Sequence, residues 1–496
     1  MVYLLIFIPL VAALLIMLGA PARKTALIAA IANLALALLG LLLFDYSGRY
    51  RFQYESSMAI LPDWKLNFAV GLDGLSLLMV LLSTIVTVAA VWYAGKIERS
   101  ERAFYASLLF ISGGVIGAFS SLDLFFFYAF HELALIPTFL LIGIWGSGNR
   151  VAAAWKVTIY LATGSFILLL GLILLYQSFP AGARTFDIRE LQAQAALISP
   201  AAQRNVFLLL LIGFGVLVSL FPFHSWAPEA YASAPAPAAM LHAGVLKKFG
   251  LYGLIRIALP LLPVGARYWT NLLLVLLLCN IIYIGLVTIA QKKLDWMLGY
   301  SSVMHMGYIF LGLATAGLLG TTGAAILMFA HGISIALLFA ITGELRKQTR
   351  SLDFADLGGL GKLMPFAGLA FGFGAFAAIG LPGLANFAAE VMVVFGSFAK
   401  GWQMSGFGGF QIATVLALWG VVISAVYMLR AYRSIFMGSP ATATGPMTDF
   451  RASLRVPTIL LIMASLWVGI FPQSVVRLVQ PALRAPSAMT AAAPQK

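Results

Sequence analysis

Residues 125–145 read FFFYAFHELALIPTFLLIGIW, an apolar run with a single acidic residue, Glu132. The hydrocarbon core of a bilayer is about 30 Å thick, and a helix needs about 20 apolar residues to cross it. The stretch therefore predicts a membrane-spanning helix with a carboxyl group inside the membrane. Similar runs recur along almost the whole chain of 496 residues, which is 62% apolar and only 10% charged. This composition excludes a soluble enzyme, since soluble domains are about 25% charged.

The apolar runs predict an all-α integral membrane protein with about 14 transmembrane helices. We expect residues 1–496 to form a single membrane domain. The first run has no basic segment before it, so we interpret it as a retained helix and not as a cleaved signal peptide. The runs lie near residues 2–19, 24–44, 72–94, 104–120, 122–144, 153–178, 203–223, 235–260, 268–290, 296–318, 321–345, 365–399, 410–433 and 453–473.

Helix-breaking residues interrupt two long segments near their middles, at Phe221-Pro222-Phe223-His224 and at Gly380-Leu381-Pro382-Gly383. Discontinuous helices at matching places are typical of inverted repeats in transporters. Lipid cannot satisfy the backbone groups that such breaks free, so these groups usually line a hydrated cavity near the membrane midplane. The two breaks therefore predict where a polar path crosses the bundle.

The net charge of +14 could suggest nucleic acid, but the Lys and Arg residues lie in short gaps between apolar runs rather than on one patch. Membrane topology explains this distribution better, because cytoplasmic loops carry an excess of Lys and Arg. The gaps on the side opposite the termini are the more basic. We therefore expect an inner (cell) membrane protein with both termini on the non-cytoplasmic side, and no nucleic-acid partner.

Cofactor chemistry is not expected in this chain. Cys279 is the sole cysteine, which excludes disulfides and Cys-based iron–sulfur or zinc sites within the chain. No gap is long enough to fold a catalytic domain, and no glycine-rich phosphate loop is present. Any redox or nucleotide chemistry is therefore expected in partner chains.

Several ionisable residues lie inside the predicted helices, although a charge at the centre of a membrane helix costs about 2.5–3.5 kcal/mol on insertion scales. Acids, bases and imidazoles on separate helices are what proton hopping requires, because each group gains and loses a proton in turn. The predicted proton-path residues are Glu132, Lys156, Lys247, Lys248, His305, His331 and Glu390.

Simpler roles are open for some of these residues. Glu132 and Glu390 could be structural partners of lysines, and Lys156 could extend its ammonium group to the membrane interface. Histidines on several helices could also bind b-type haem. A haem site, however, does not require buried Lys and Glu residues beside it.

Four further residues have equally open roles. His131 and Lys247 each stand next to a stronger candidate and point about 100° away from it on a helix, so each could pack or orient its neighbour. His224 and His242 flank FHSWAPEAYASAPAPAAMLH, whose prolines suggest a compact loop between helices. Each of these two histidines could cap backbone groups instead of carrying protons.

Residues 221–256, FPFHSWAPEAY…SAPAPAAMLHAGVLKKFGLYGLIR, resemble a family signature, P-F-H-x-W-L-P-D-A-H…A-P…L-A-G-x-L-L-K-x-x-x-Y-G-L-x-R. The signature is that of the antiporter-like subunits of proton-pumping NADH–quinone oxidoreductase, complex I. GLDGLSLLMVLL, YSSVMHMGYIFLG, MFAHGISIALLF and LPGLANFAAEVMVVFGSF are similar to further stretches of this family. Glu390 stands where two sister subunits usually have lysine, which makes subunit M the most similar member.

The resemblance implies two inverted repeats of five helices, helices 4–8 over residues 104–260 and helices 9–13 over residues 268–433, with helices 7 and 12 broken. Residues 434–496 would form the last helix and the C-terminal tail. Each repeat would hold a half-channel, joined by a central polar axis. Such subunits bind no cofactor and assemble in the bilayer with other membrane subunits, including sister antiporter-like subunits.

The resemblance also implies residue roles. Glu132 matches the helix 5 glutamate that tunes a lysine partner, and Lys156 matches a lysine on helix 6. The other matches are the helix 8 lysine, the two central histidines and the terminal glutamate, which correspond in that order to Lys248, His305, His331 and Glu390.

One departure from the family pattern concerns helix 7. Members usually read K-x-P-x-x-P-x-H there, whereas GVLVSLFPFH has Leu217 at the lysine position and Ser219 at the first proline position. Glu132 thus lacks its usual partner. We expect Lys247, an extra lysine where the family usually has leucine, to supply the missing positive charge, with Lys156 as the alternative. The segment QKKLDWMLGYSS also departs from the usual D-x-K-R-L-x-A-Y-S-S.

These features predict a proton-translocating membrane-arm subunit, driven by redox chemistry in partner subunits. A homologous subunit of a membrane-bound hydrogenase, a ferredoxin-linked dehydrogenase or a multisubunit sodium/proton antiporter is the first alternative. A structural subunit that has lost pumping together with the helix 7 lysine is the second. Retention of several buried charges argues against the second alternative.

Overall fold

The computed structural model of the chain describes residues 1–47, 51–403, 408–439 and 447–484. Within these residues, eleven helices are long and apolar enough to cross a membrane, which confirms the predicted helical membrane protein. They are Ala22–Leu42, Gly74–Ala94, Glu101–Ser120, Leu124–Trp145, Arg150–Gln177, Pro200–Val218, Thr270–Ala290, Leu294–Ala314, Leu318–Thr349, Gly409–Phe436 and Ala452–Ile470.

The remaining three predicted segments are shorter or interrupted, so the count of 14 stays a prediction. The first is the 16-residue helix Val2–Met17. The second is a rod over residues 236–261, which alternates the α-helical segments Ala236–Leu241, Lys248–Gly253 and Leu259–Leu261 with π-helical turns at His242–Leu246 and Leu254–Ala258. The third consists of Pro365–Ile379 and Ala385–Gln403.

Short elements complete the described fold. The long gap after the second helix forms an antiparallel hairpin of two strands, Gln53–Leu61 and Leu66–Leu72, which the apolar-run analysis does not reveal. The predicted loop after His224 is mostly helical, since Trp226–Ser233 is a helix. Other short helices are Pro62–Trp64, Ala181–Ala183, Ile188–Ala193, Ala195–Leu197, Pro263–Tyr268, Leu360–Leu363 and Pro472–Leu483. Residues 440–446 and 485–496 of the predicted C-terminal region lie outside the described residues.

Both predicted breaks are present, and each has a local cause. The first break, residues 219–225, begins at Ser219, which has a positive φ of 68°. Asn280 satisfies the backbone groups freed there: its amide nitrogen donates to the Ser219 carbonyl at 3.2 Å, and its oxygen accepts from the Phe221 N–H at 2.7 Å. The second break, residues 380–384, begins at Gly380, whose φ of 82° is unfavourable for residues with a side chain.

Two long helices cross the middle of the bundle. The His305 helix, Leu294–Ala314, packs against the His331 helix, Leu318–Thr349, and both are buried over most of their length. Gly299 of the His305 helix lies against the short helix after the first break, because a Cβ at Gly299 would come 2.7 Å from the Pro228 Cα atom. The first break is thereby brought against the central helices.

A buried ion pair holds one end of the bundle. Arg256 donates to Asp73 at 2.6 Å, and both side chains are buried. Asp73 also caps the helix Gly74–Ala94 by accepting from the Ser76 N–H. Loss of one partner from such a pair typically costs about 3–5 kcal/mol, because the other charge is left buried without compensation.

Candidate functional site

Glu132 has a hydroxyl partner instead of a lysine. The carboxylate accepts a hydrogen bond from Ser165 on the helix Arg150–Gln177, and the His131 Nδ1 atom lies 3.7 Å from the same oxygen. His131 is buried, whereas 37% of the Glu132 side chain is exposed on the surface of this chain. Glu132 therefore lies at the edge of the bundle and not in its core.

The predicted ion pair between Lys247 and Glu132 is wrong. The Lys247 ammonium group donates to the Ser302 carbonyl at 3.3 Å and lies 3.5 Å from the Ser302 hydroxyl. It also lies over the Tyr231 ring, 5.6 Å from its centroid. The π-helical turn His242–Leu246 precedes Lys247, and the extra residue in that turn changes the direction of the following side chains. Lys247 consequently faces the His305 helix.

Two further histidines, His131 and His242, are buried in the first half of the bundle. His131 stacks on Phe249, with ring centroids 3.9 Å apart. His242 lies 3.3 Å from the Tyr231 hydroxyl through its Nδ1 atom. His242 interacts electrostatically with Lys247, His131 and Lys248. Both residues are therefore part of the protein interior, and neither forms a hydrogen bond with Lys247.

Lys248 is completely buried and donates to the Ala243 carbonyl at 2.6 Å. This carbonyl belongs to the π-helical turn, where backbone acceptors are displaced from their ordinary α-helical partners. Lys248 also interacts electrostatically with His305 and His331. The predicted helix 8 lysine therefore lies within electrostatic range of the predicted central histidines.

A chain of polar groups links the rod to the two central helices. The Ser302 hydroxyl lies 3.5 Å from the Lys247 Nζ atom and 3.2 Å from the His331 Nε2 atom. The His331 and His305 rings are 5.3 Å apart between centroids. The His305 Nε2 atom lies 3.3 Å from the Tyr427 hydroxyl. We call this series from Lys247 to Tyr427 the central relay.

Glu390 lies beyond the Tyr427 end of the central relay, beside the second break. A Cβ at Gly380 would come 2.4 Å from one Glu390 carboxyl oxygen, so the absence of a side chain at Gly380 makes room for the carboxyl group. The adjacent Asn386 side chain, which is also buried, interacts with the Glu390 carboxyl group. Glu390 interacts electrostatically with the Tyr308 and Tyr427 hydroxyl groups.

Lys156 forms an ion pair that the sequence analysis missed. Its Nζ atom lies 2.8 Å from a Glu229 carboxylate oxygen, and the side chains are 35% and 26% exposed. The sequence could have indicated Glu229 as a functional residue, because the family signature has an acidic residue at this position. Beside the pair, the Tyr160 hydroxyl lies 3.0 Å from the Ser225 hydroxyl. Lys156 is therefore neither at Glu132 nor in the central relay.

A cavity of about 460 Å³ opens at one end of the bundle. We call it the mixed-charge cavity, because its lining includes Lys96, Asp295, Glu344 and Lys347. Tyr231 also lines it. Since Tyr231 contacts both His242 and Lys247, the cavity brings solvent to within one side chain of the central relay.

Metal coordination has no support in the described part of the chain, which holds no group of three or more His, Cys, Asp or Glu residues suited to a metal ion. The buried histidines instead contact hydroxyl groups and one another. Each central imidazole uses its Nε2 atom for these contacts, and the Nδ1 atoms of His305 and His331 have no partner among the described residues.

Comparisons with known proteins agree with this architecture. The chain is 35% identical over 451 residues to the F(420)H(2) dehydrogenase subunit M of Methanosarcina mazei, covering 89% of each chain. It is 33% identical over 478 residues to an NAD(P)H-quinone oxidoreductase chain 4 of Nostoc sp., covering 95% of this chain and 88% of the relative.

Solved structures show the same fold. A chain of the respiratory complex I from Thermus thermophilus matches with a TM-score of 0.88 and 28% identity, over 97% of this chain and 98% of that chain. A chain of the Mrp complex from Dietzia sp. matches with a TM-score of 0.84 and 21% identity, over 97% and 96%. The family described as "NADH:quinone oxidoreductase/Mrp antiporter, TM" matches residues 121–440, and the chain belongs to this family.

Proposed function

We propose that this chain is the proton-translocating, antiporter-like membrane subunit of a respiratory complex of the NADH–quinone oxidoreductase type. One observation carries the proposal: the central relay places buried ionisable and hydroxyl groups of four helical segments in series, with polar atoms 3.2–3.5 Å apart at three steps and the two imidazole rings 5.3 Å apart between centroids at the fourth. Lysine, hydroxyl and imidazole groups in series can each accept and release a proton. Buried ionisable groups of this kind are rare in membrane helices unless they line an ion pathway.

The mixed-charge cavity gives the relay access to solvent at one end of the bundle. We propose that protons pass from this cavity through Tyr231 and His242 to Lys247, and then along the relay to Glu390. In this chain the broken helix has Leu217 at the position where the family pattern has lysine, and the rod supplies Lys247, which contacts Ser302 and not Glu132.

We propose that Glu132 connects this chain to a neighbouring membrane subunit. A carboxylate exposed to lipid is costly, and a partner that covers this face removes the cost. The face is otherwise apolar, with Phe125 and Ile136 exposed on the same helix. Both similar solved structures are multisubunit membrane complexes, which supports a partner at this surface.

We propose the domain organisation given by the resemblance, with inverted repeats over residues 104–260 and 268–433. The two breaks support it, because one lies in each proposed repeat. Each break also lies beside a buried polar residue, Asn280 at the first and Glu390 at the second.

The function is tested on the complex purified through a tag on this chain. We expect other membrane subunits and redox subunits to co-purify, and electron transfer in sealed vesicles to drive proton movement in sodium-free buffer. Identification of the redox partner separates a quinone oxidoreductase from a hydrogenase. A chain that purifies alone as a working antiporter, or transport that requires sodium, would contradict the proposal.

We further propose that the chain lies in the inner (cell) membrane with both termini on the non-cytoplasmic side. In a Cys279→Ala background, we expect Lys65→Cys to react with a membrane-impermeant maleimide added to intact cells. Lys347→Cys, whose position is 58% exposed, should react only after permeabilisation. The reverse labelling pattern would overturn this topology.

A further inference from the structure

A second and larger cavity, of about 840 Å³, lies at the end of the bundle opposite the mixed-charge cavity. Its polar lining is strongly basic, and none of its lining residues is acidic. We call it the basic cavity. The cationic side chains in its lining are Arg51, Arg256, Arg267, Lys400 and Arg484.

Most of this positive charge is uncompensated. Arg256 is paired with Asp73 at 2.6 Å. Among the described residues, the other four cations of the basic cavity have no carboxylate within 4 Å. The Arg51 Nε atom is buried without a hydrogen-bond acceptor. Burial and then the neighbouring Arg256 guanidinium lower the pKa of Arg51, while the Asp73 carboxylate acts in the opposite direction. An anion in the cavity would relieve both the repulsion and the unsatisfied donor.

The other part of the lining is apolar and continues into the membrane-spanning region. Leu259 lies in the last segment of the rod, while Leu274 and Phe410 lie near the starts of two membrane helices. Basic groups beside apolar helix ends match a molecule with an anionic head and hydrocarbon chains. The volume also exceeds that of an inorganic anion, since one water occupies only about 30 Å³.

We propose that the basic cavity binds the phosphate headgroup of an anionic phospholipid, with the acyl chains along the apolar side of the cavity. Arg51 and Arg267 hold the phosphate from two different elements, the segment before the hairpin and the short helix Pro263–Tyr268. The lipid thereby joins the rod, the hairpin region and the C-terminal helix Pro472–Leu483 at this end of the bundle.

The test uses the full-length chain in detergent and native mass spectrometry with dioleoylphosphatidylglycerol. Each cation near an anionic lipid contributes about a fivefold factor in affinity, so Arg51→Gln combined with Arg267→Gln should weaken binding about 25-fold. Arg204→Gln is the matched control, because Arg204 contacts Tyr268 at the same end of the bundle but does not line the cavity. This control should bind the lipid as the unchanged chain does.

Competition with other ligands identifies the bound molecule, and a single-residue variant shows whether weaker binding comes from a folding defect. Dioleoylphosphatidylcholine should bind more weakly, and inorganic phosphate should not displace the anionic lipid. Lys400→Gln should weaken binding about fivefold without a change in melting temperature. Equal lipid binding by the double variant and by the Arg204→Gln control would show that the lipid does not bind in the basic cavity. If inorganic phosphate alone displaces the anionic lipid, the basic cavity is a site for a free anion, and the lipid assignment is wrong.

Discussion

Replacement of Lys247 by methionine should lower proton translocation about tenfold or more, while the complex still assembles. Positioned acid–base groups typically contribute about 10²–10⁴-fold to proton-transfer rates, which is the basis for this expectation. Lys247 is buried and connects Tyr231 at the mixed-charge cavity to Ser302 of the central relay. Methionine has a similar length but cannot carry a proton.

Lys247→Arg separates the positive charge from proton transfer, because arginine keeps the charge but cannot be deprotonated in a protein. We expect this variant to fail as well. The readout is acidification in sealed vesicles by a pH-sensitive dye at matched electron-transfer rates. Ser334→Ala is the control, since that buried hydroxyl donates to the His331 carbonyl and does not belong to the relay. Normal acidification by either Lys247 variant would remove this residue from the path.

Glu390→Gln should have a similarly large effect at the other end of the relay. Glutamine keeps the shape of the side chain beside Gly380 but does not titrate. Glu390 is buried beside the Asn386 side chain at the second break and interacts electrostatically with Tyr427, the last group of the central relay. Loss of its titration should therefore interrupt proton transfer at this end of the path.

The control for Glu390→Gln is Glu190→Gln, which alters an exposed carboxylate on the short helix Ile188–Ala193. We expect vesicles with the control to acidify normally, and vesicles with Glu390→Gln to show about a tenfold or greater loss. If Glu390→Gln prevents assembly but pumping per assembled complex is normal, the role of Glu390 is structural.

Hydropathy and the family signature were sufficient to predict the helical membrane fold and both breaks. Charge in an apolar run is a strong signal, so Lys248, His305, His331 and Glu390 could be predicted as buried polar residues, which they are. The hairpin Gln53–Leu72 was missed, because two short strands give a weak periodic signal beside long helices. Its existence depends on contacts with the helix ends that composition does not show.

The orientation of Lys247 could not be derived from helical periodicity. An α-helix places successive side chains about 100° apart, but the π-helical turn His242–Leu246 adds a residue and shifts this register. Ser302 and Tyr427 were missed for a different reason. Hydroxyl groups are common in membrane helices, and only the packing of the His305 helix against its neighbours shows that these two bridge ionisable groups.

The most direct test of the central claim is the proton-to-electron ratio of the intact complex in sealed vesicles, measured for Lys247→Arg, Glu390→Gln and the double variant. Groups that act in series on one path are strongly non-additive, since one interruption already blocks the path. We predict that each single variant lowers the ratio and that the double variant lowers it no further. A ratio that falls by the sum of the two single effects, or that stays normal in the single variants, would contradict one connected path from Lys247 through the central relay to Glu390.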